Sequence, residues 1–152
     1  MVKILFVCHG NICRSTMAEY VMKHLVRKTG HEEEFFIDSA ATSTEEIGAP
    51  VHYGTRKKLA EAGIHCGSHR ARQVTWADYR NFDLIIGMDS ANIRNLLRML
   101  KGDPEGKIRK ILDYTDRPGD VADPWYTGNF DVTYDDILHG CTALLARCTK
   151  HS

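Results

Sequence analysis

The stretch Cys8-His9-Gly10-Asn11-Ile12-Cys13-Arg14-Ser15 puts a thiol, a guanidinium and a hydroxyl into one short turn. It follows the apolar run Ile4-Leu5-Phe6-Val7 and precedes a segment with helical periodicity. A loop that curls from a strand into a helix points successive N–H groups inward, making an anion nest at the helix N-terminus. Gly10 and Asn11 are residue types that tolerate the left-handed backbone angles such a curl requires. Arg14 adds a planar fork suited to two oxygens of a phosphate. The amides, the helix dipole and Arg14 all favour a thiolate at Cys8, the nucleophilic form of cysteine. Ser15 could donate a hydrogen bond to that sulfur, lowering its basicity and easing its later departure. Cys-x5-Arg alone is common by chance. Cys-x5-Arg-Ser with Gly-Asn inside, between a buried strand and a helix, is far more specific. Outside that context, Cys8 reads as a small hydrophobe ending a strand.

A thiolate attacking phosphorus needs an electrostatic clamp and an acid that later serves as a base. The chain has 20 carboxylates, and most must be solvated surface charge. Asp116, Asp120 and Asp123 lie in the irregular stretch before the last helical segment. Asp123 stands out because Pro124 stiffens its loop and Trp125-Tyr126 offer aromatic faces beside it. Residue chemistry alone leaves Asp116 and Asp120 in contention, and the two rings could equally be core residues.

What must position these groups is an alternation of strands and helices. Apolar runs predict strands over residues 3–8, 35–37 and 84–88, with a weaker, more charged one over 108–112 at an edge. Ala18, Val21, Met22, Leu25 and Val26 share a helical face after Ser15, with Gly30 as a stop. A second helix over residues 55–62 ends at Gly63. Ser90 can cap a third that buries Ile93, Leu96, Leu97 and Leu100. Tyr134, Ile137, Leu138, Cys141, Leu144, Leu145 and Cys148 mark the last. This order predicts an α/β fold with a parallel sheet and right-handed crossovers. Ligands of such sheets bind beyond the carboxyl ends of the strands. Function should therefore sit in the irregular stretches 40–54, 66–82 and 115–130.

The 152 residues predict one domain, residues 1–152, without repeat or linker. Lys+Arg and Asp+Glu balance at 20 each, which argues against a nucleic-acid binder that works through bulk electrostatics. No apolar run approaches the ~20 residues that span a membrane, and residues 1–7 are too short for a signal-peptide core. Five cysteines cannot all pair within one chain, and their spacing is unlike a small secreted scaffold. A reducing, cytoplasmic setting is expected, with cysteine used for catalysis or redox chemistry.

The segment from Val7 through Ser15 resembles the phosphate-binding loop of the low-molecular-weight protein tyrosine phosphatases. The similarity continues through Asp38-Ser39-Ala40-Ala41-Thr42-Ser43, Ser68-His69-Arg70-Ala71-Arg72, Met88-Asp89 and Asp123-Pro124-Trp125-Tyr126, in the family's order. The resemblance implies a four-stranded parallel sheet with helices on both faces, flavodoxin-like and of the phosphotyrosine phosphatase I type. It implies hydrolysis of protein phosphotyrosine and small aryl phosphates through a cysteinyl-phosphate, with neither metal nor cofactor. Cys8 would be the nucleophile and Asp123 the acid and base. Arg14 and the loop from His9, Gly10, Asn11, Ile12 and Cys13 to Ser15 would bind phosphate. Ser15, Asn11 and His69 would support the loop, although His69 taken alone is one of eight ordinary histidines. Trp125 and Tyr126 would form a substrate wall with Glu45. Asp89 is either a helix cap or a support for the site. Cys13 either fills space under the nest as a small side chain or, as the resemblance supports, is a resolving thiol for oxidised Cys8; Cys141 and Cys148 read as core, and Cys66 has no role. Implied partners are tyrosine-phosphorylated proteins and inorganic phosphate as product or inhibitor, with no nucleic acid or membrane. Oligomeric state is left open.

Two positions depart from the family pattern. Glu45 stands where an aromatic usually lines the cleft; an acidic wall should disfavour acidic phosphopeptides and weaken ring stacking. His9 replaces a small or aliphatic residue, either adding positive charge at low pH or pointing to solvent. Phosphoarginine phosphatases are the nearest rival, but carry Thr where this chain has Ile12, whose bulk suits an aromatic ring better. A thiol-dependent arsenate reductase would need a cysteine pair near the third strand, and residues 84–91 contain none. Other tyrosine phosphatases also use Cys-x5-Arg, but their acid precedes the nucleophile. A protein that merely binds phosphate has no obvious use for both a thiol and a positioned acid.

Overall fold

Side chains of β1 (Val2–Cys8) divide the interior of the molecule in two. Ile4, Phe6 and Cys8 enter one apolar cluster and Leu5 and Val7 the other, as a period of two dictates when both strand faces are covered. The computed structural model describes residues 1–149, so 150–152 of the expected domain lie outside the described residues. β1 pairs in parallel with β2 (Phe35–Ala41) on one side and β3 (Leu84–Gly87) on the other. β4 (Ile108–Lys110) lies beyond β3, giving the order β2-β1-β3-β4. The weakest strand thus takes an edge, as expected.

On one face pack α1 (Arg14–Lys28) and α2 (Tyr53–Glu61), which supply Met17, Val21 and Leu59. The other face is covered by α3 (Trp76–Asn81) and α4 (Ser90–Met99) through Tyr79 and Leu96, with Phe82 and Leu100 just beyond their ends. A short α5 (Pro124–Thr127) precedes α6 (Phe130–Thr149), which joins α1 on the first face. Ile137 and Leu144 of α6 are fully buried, worth roughly 1.5–3 kcal/mol each. The fold is the four-stranded parallel sheet with helices on both faces that the sequence implied. Among the described residues no helix is long and apolar enough to cross a membrane.

Several boundaries differ from expectation, each for a physical reason. β2 runs on through Asp38 and Ser39 to Ala41 because the buried Ser39 hydroxyl finds polar partners on other elements. Residues 111–114 leave the expected fourth strand and wind into a 3-10 turn, where Asp113 accepts from the Lys110 amide. Asp89 caps α4 in place of Ser90: its carboxylate accepts from Asn92 N at 2.7 Å, and Asn92 Oδ1 accepts in return from Asp89 N. Leu97 is exposed, so the buried stripe of α4 rests on Ile93 and Leu96, with Leu100 at its end. α3 lies within a stretch expected to be irregular; Thr75 and Asp78 nucleate it with a reciprocal cap that six residues of periodicity do not reveal. Gly30 and Gly63, both at positive φ, follow the last turns of α1 and α2 as expected.

Candidate active site

The loop from β1 to α1 curls around the sulfur of Cys8. Asn11 N donates to Sγ at 3.3 Å, and Ser15 Oγ lies 3.1 Å from it. Asn11 carries the left-handed backbone angle, with φ at 60°. Gly10, expected to share that role, keeps an ordinary φ. A Cβ there would make only ordinary van der Waals contact, its nearest neighbour being Glu46 Cγ at 3.4 Å.

Asn11 uses its full bonding capacity, which fixes the loop. Its amide nitrogen donates to Ser15 Oγ at 2.8 Å and Ser39 Oγ at 2.9 Å. Its Oδ1 accepts from the Arg72 backbone N–H at 3.2 Å and from His69 Nε2 at 2.7 Å. A backbone N–H can only donate, so the amide orientation is settled and Nε2 carries the hydrogen. Ser15, already accepting from Asn11, keeps its own hydrogen for a thiolate at Cys8. The expected pairing of His69 with Asn11 is present.

Behind this shell lies a second one. Ser39 Oγ donates to Glu19 Oε1 at 2.6 Å, and Lys23 Nζ reaches the other Glu19 oxygen at 2.6 Å. His69 Nδ1 lies 3.4 Å from Glu19 and 3.5 Å from Asp38, while Arg72 Nη2 holds the second Asp38 oxygen at 3.1 Å. Glu19, Asp38 and His69 could bring ligand atoms within 4.8 Å of one another for a metal ion. Lys23 and Arg72 already balance their charge, so the trio serves as an ion-pair support for Asn11. A cavity of about 510 Å³ opens beside this network, with no cysteine in its walls.

Arg14 reaches the loop from the first turn of α1 and is almost fully buried. Its Nη1 donates to Asp89 Oδ2 at 2.8 Å and Val121 O at 2.9 Å, while Nη2 lies 3.3 Å from Asp123 Oδ2. Burial disfavours its charge, yet Cys8, Asp123 and Asp89 outweigh that cost and raise its pKa above the ordinary arginine value. Asp89 resolves its two alternatives by filling both, one oxygen on the helix cap and one on Arg14. Of the three candidate acids, only Asp123 faces Arg14. Asp116 is exposed beside His139, and Asp120 turns toward the start of α4. Asp123 caps α5 by accepting from Trp125 N at 3.0 Å, with Pro124 fixing the first helical position.

A cleft of about 490 Å³ opens over the sulfur, lined by Cys8, Ile12 and Arg14 below and by Glu45, Asp123, Trp125 and Tyr126 above. Trp125 is 61% exposed and Tyr126 83%, which removes the core alternative for both rings. The two departures meet here: His9 Nε2 lies 2.9 Å from Glu45 Oε2 across the cleft mouth. His9 therefore does not simply point to solvent. Burial, then the neighbouring Cys8, push the Cys13 thiol up to about 12, so it stays protonated near neutral pH. Cys141 is fully buried and Cys148 partly so, as core residues should be. Cys66 is only partly buried, beside that same core.

Sequence reasoning assigned no role to Glu19, Ser39, Arg72 or Glu46, and named Asp120 only as a rival acid. Glu19 offered one signal: an acid on the apolar face of α1, one turn beyond Ser15. The others act through partners distant in sequence.

Residues 3–152 match the family model described as low molecular weight phosphotyrosine protein phosphatase. The chain is 43% identical over 152 residues to the low molecular weight protein-tyrosine-phosphatase YfkJ of Bacillus subtilis (strain 168), covering 99% of this chain and 97% of that protein. It is 39% identical over 149 residues to the low molecular weight phosphotyrosine protein phosphatase of Rattus norvegicus, covering 95% and 94%. The crystal structure of YfkJ superposes with a TM-score of 0.96 at 42% identity, covering 100% of this chain and 97% of that one. The crystal structure of DARP, a Drosophila arginine phosphatase, superposes at 0.89 with 31% identity, covering 97% and 98%. The matched span takes in the loop, its support and the carboxylate that faces it, and the chain belongs to the low molecular weight phosphotyrosine protein phosphatase family, hydrolases that act on phosphomonoesters.

Proposed function

We propose that this chain, residues 1–152 acting as one domain, hydrolyses phosphotyrosine in proteins and small aryl phosphates through a cysteinyl-phosphate. The observation that carries this reading is the meeting of Arg14 and Asp123 at 3.3 Å above the Cys8 loop. A clamp and an acid stand together over one nucleophile. Cys8 Sγ attacks phosphorus in line while the P–O bond to the tyrosine ring breaks. With Nη1 committed to Asp89 and Val121, Arg14 offers its other edge to the equatorial oxygens beside the loop amides. Asp123, as general acid, gives a proton to the departing phenolic oxygen. In the second step the oxygen of a water molecule attacks phosphorus as Asp123 takes its proton. The P–S bond breaks, Ser15 donates to the leaving thiolate, and inorganic phosphate departs as a product that can also inhibit.

Ile12, Trp125 and Tyr126 suit a flat ring. A cytoplasmic location fits the five free thiols. A second reading, phosphoarginine hydrolysis, is favoured by the likeness to DARP and by Glu45 and Glu46, carboxylates that could accept from a guanidinium. Peptides carrying phosphotyrosine, phosphoserine or phosphoarginine, compared by kcat/KM in reductant and chelator, separate these readings. Phosphotyrosine should lead the others by about 10²-fold, a difference pocket contacts can supply. A lead by phosphoarginine would reverse the assignment, and no turnover of any would end the enzyme reading.

The place of Cys13 within the Cys8 loop supports protection of the nucleophile, and its raised pKa opposes it, since the thiolate is the attacking form. Peroxide converts the Cys8 thiolate to a sulfenic acid; the Cys13 thiol displaces water from it, forming a disulfide that external thiol reduces. After a peroxide pulse, thiol should restore most activity to the parent and only a minor fraction to Cys13→Ser. Equal recovery would remove Cys13 from this role.

A further inference from the structure

Asp123 belongs to the irregular segment between the 3-10 turn at Ile111–Tyr114 and α5, so something other than secondary structure must hold it over the cleft. Each of the three residues before it is tied to a different element. Ala122 O accepts from Thr133 Oγ1 of α6 at 2.8 Å. Val121 N donates to Met88 O at 2.9 Å, Val121 O accepts from Arg14, and its side chain is buried in the main core. Asp120 makes the densest contact: one oxygen, Oδ1, accepts from Ser90 N at 3.0 Å, Ser90 Oγ at 3.3 Å and Lys110 Nζ at 3.0 Å. Lys110 Nζ also donates to Ser90 Oγ at 3.1 Å, closing the ring.

We propose that Asp120 is a positioning residue for the acid, and that the N-terminus of α4 is the common reference holding Arg14 and Asp123 in register. The proposal rests on Asp123 being the acid. Asp89, the cap of α4, fixes Arg14; Ser90, the next residue, fixes Asp120 and with it the segment that ends in Asp123. A carboxylate at a helix N-terminus is also favoured by the helix dipole. An isolated surface ion pair would contribute little. This one joins the start of α4 to the end of β4 and to the acid segment, where a shift of about 1 Å in a reacting group can cost as much as 10²-fold in rate. Burial opposes the Asp120 charge, but Lys110 and the Ser90 donors more than offset it and hold the carboxyl below the usual range. A lowered value leaves the clasp complete above the ordinary aspartate pKa of about 4 and opens it only in stronger acid.

The test is kcat/KM across aryl phosphates of graded leaving-group pKa, which reports the step in which the acid acts. Asp120→Ala should lose about tenfold on phenyl phosphate and less than about twofold on p-nitrophenyl phosphate, since a displaced acid matters most to a poor leaving group. Lys110→Met should shift the ratio in the same direction, and Asp120→Glu should restore it. Asp103→Asn removes a similarly bonded carboxylate at the far end of β4 and should change Tm without moving the ratio. Equal losses on both substrates, or none, in Asp120→Ala and Lys110→Met would overturn the proposal. If Asp123→Asn shows no leaving-group dependence, the acid assignment itself falls and the clasp has nothing to position.

Discussion

Cys8→Ser is expected to lower hydrolysis of an aryl phosphate by about 10⁴-fold or more, in line with losses seen when a covalent nucleophile is removed. The reason is protonic. A thiolate is nucleophilic as it stands, whereas a serine hydroxyl must lose its proton during attack. The groups nearest that position are the Asn11 backbone amide, which donates, and the Ser15 hydroxyl, which is far too weakly basic to take the proton. Neither can serve as a base. The anion nest would survive, since Arg14 is fixed by Asp89 and Val121, and Asn11 by His69, Ser39 and Arg72. Inorganic phosphate should therefore bind the variant with an affinity within a few-fold of the parent, measured by calorimetry, while turnover is absent. Residual turnover above about 1% of the parent would point to another nucleophile.

Local chemistry and global placement were legible to different degrees. The loop from Cys8 to Ser15 could be read because its thiol, arginine and turn residues are contiguous and their chemistry is local. The apolar run of β1 announced a doubly covered strand for the same reason. Asp123 was different. Its distinction from Asp116 and Asp120 depends on distance to Arg14, which lies 109 residues away in sequence, and no local rule reports that. The resemblance selected Asp123; in the structure it faces Arg14, whereas Asp116 and Asp120 are turned to His139 and to Ser90. The end of β2 was illegible because Asp38 and Ser39 look like loop residues until Glu19, His69 and Arg72 are placed around them. Glu45 and His9 were noticed separately, and only folding makes them partners across the cleft mouth.

Asp123→Asn should reduce kcat/KM for phenyl phosphate or a phosphotyrosine peptide by about 10²–10⁴-fold, the range general acid catalysis contributes. For p-nitrophenyl phosphate the loss should stay within about tenfold, because that leaving group departs without a proton. The substitution is nearly isosteric, and an amide oxygen can still accept from Trp125 N to cap α5. What it loses is the exchangeable proton and the charge facing Arg14. Those two losses can be told apart. Were the defect a displaced Arg14, affinity for inorganic phosphate would fall; with a negative charge removed beside the anion, it should hold or tighten. The second half of the cycle gives an independent check. Without a base to activate water, the cysteinyl-phosphate should accumulate, and rapid mixing with p-nitrophenyl phosphate should release a burst of nitrophenolate close to one equivalent. Equal losses in kcat/KM on the two substrates would remove Asp123 from the acid role. An absent burst alongside unequal losses would leave it the acid and assign water activation to another group.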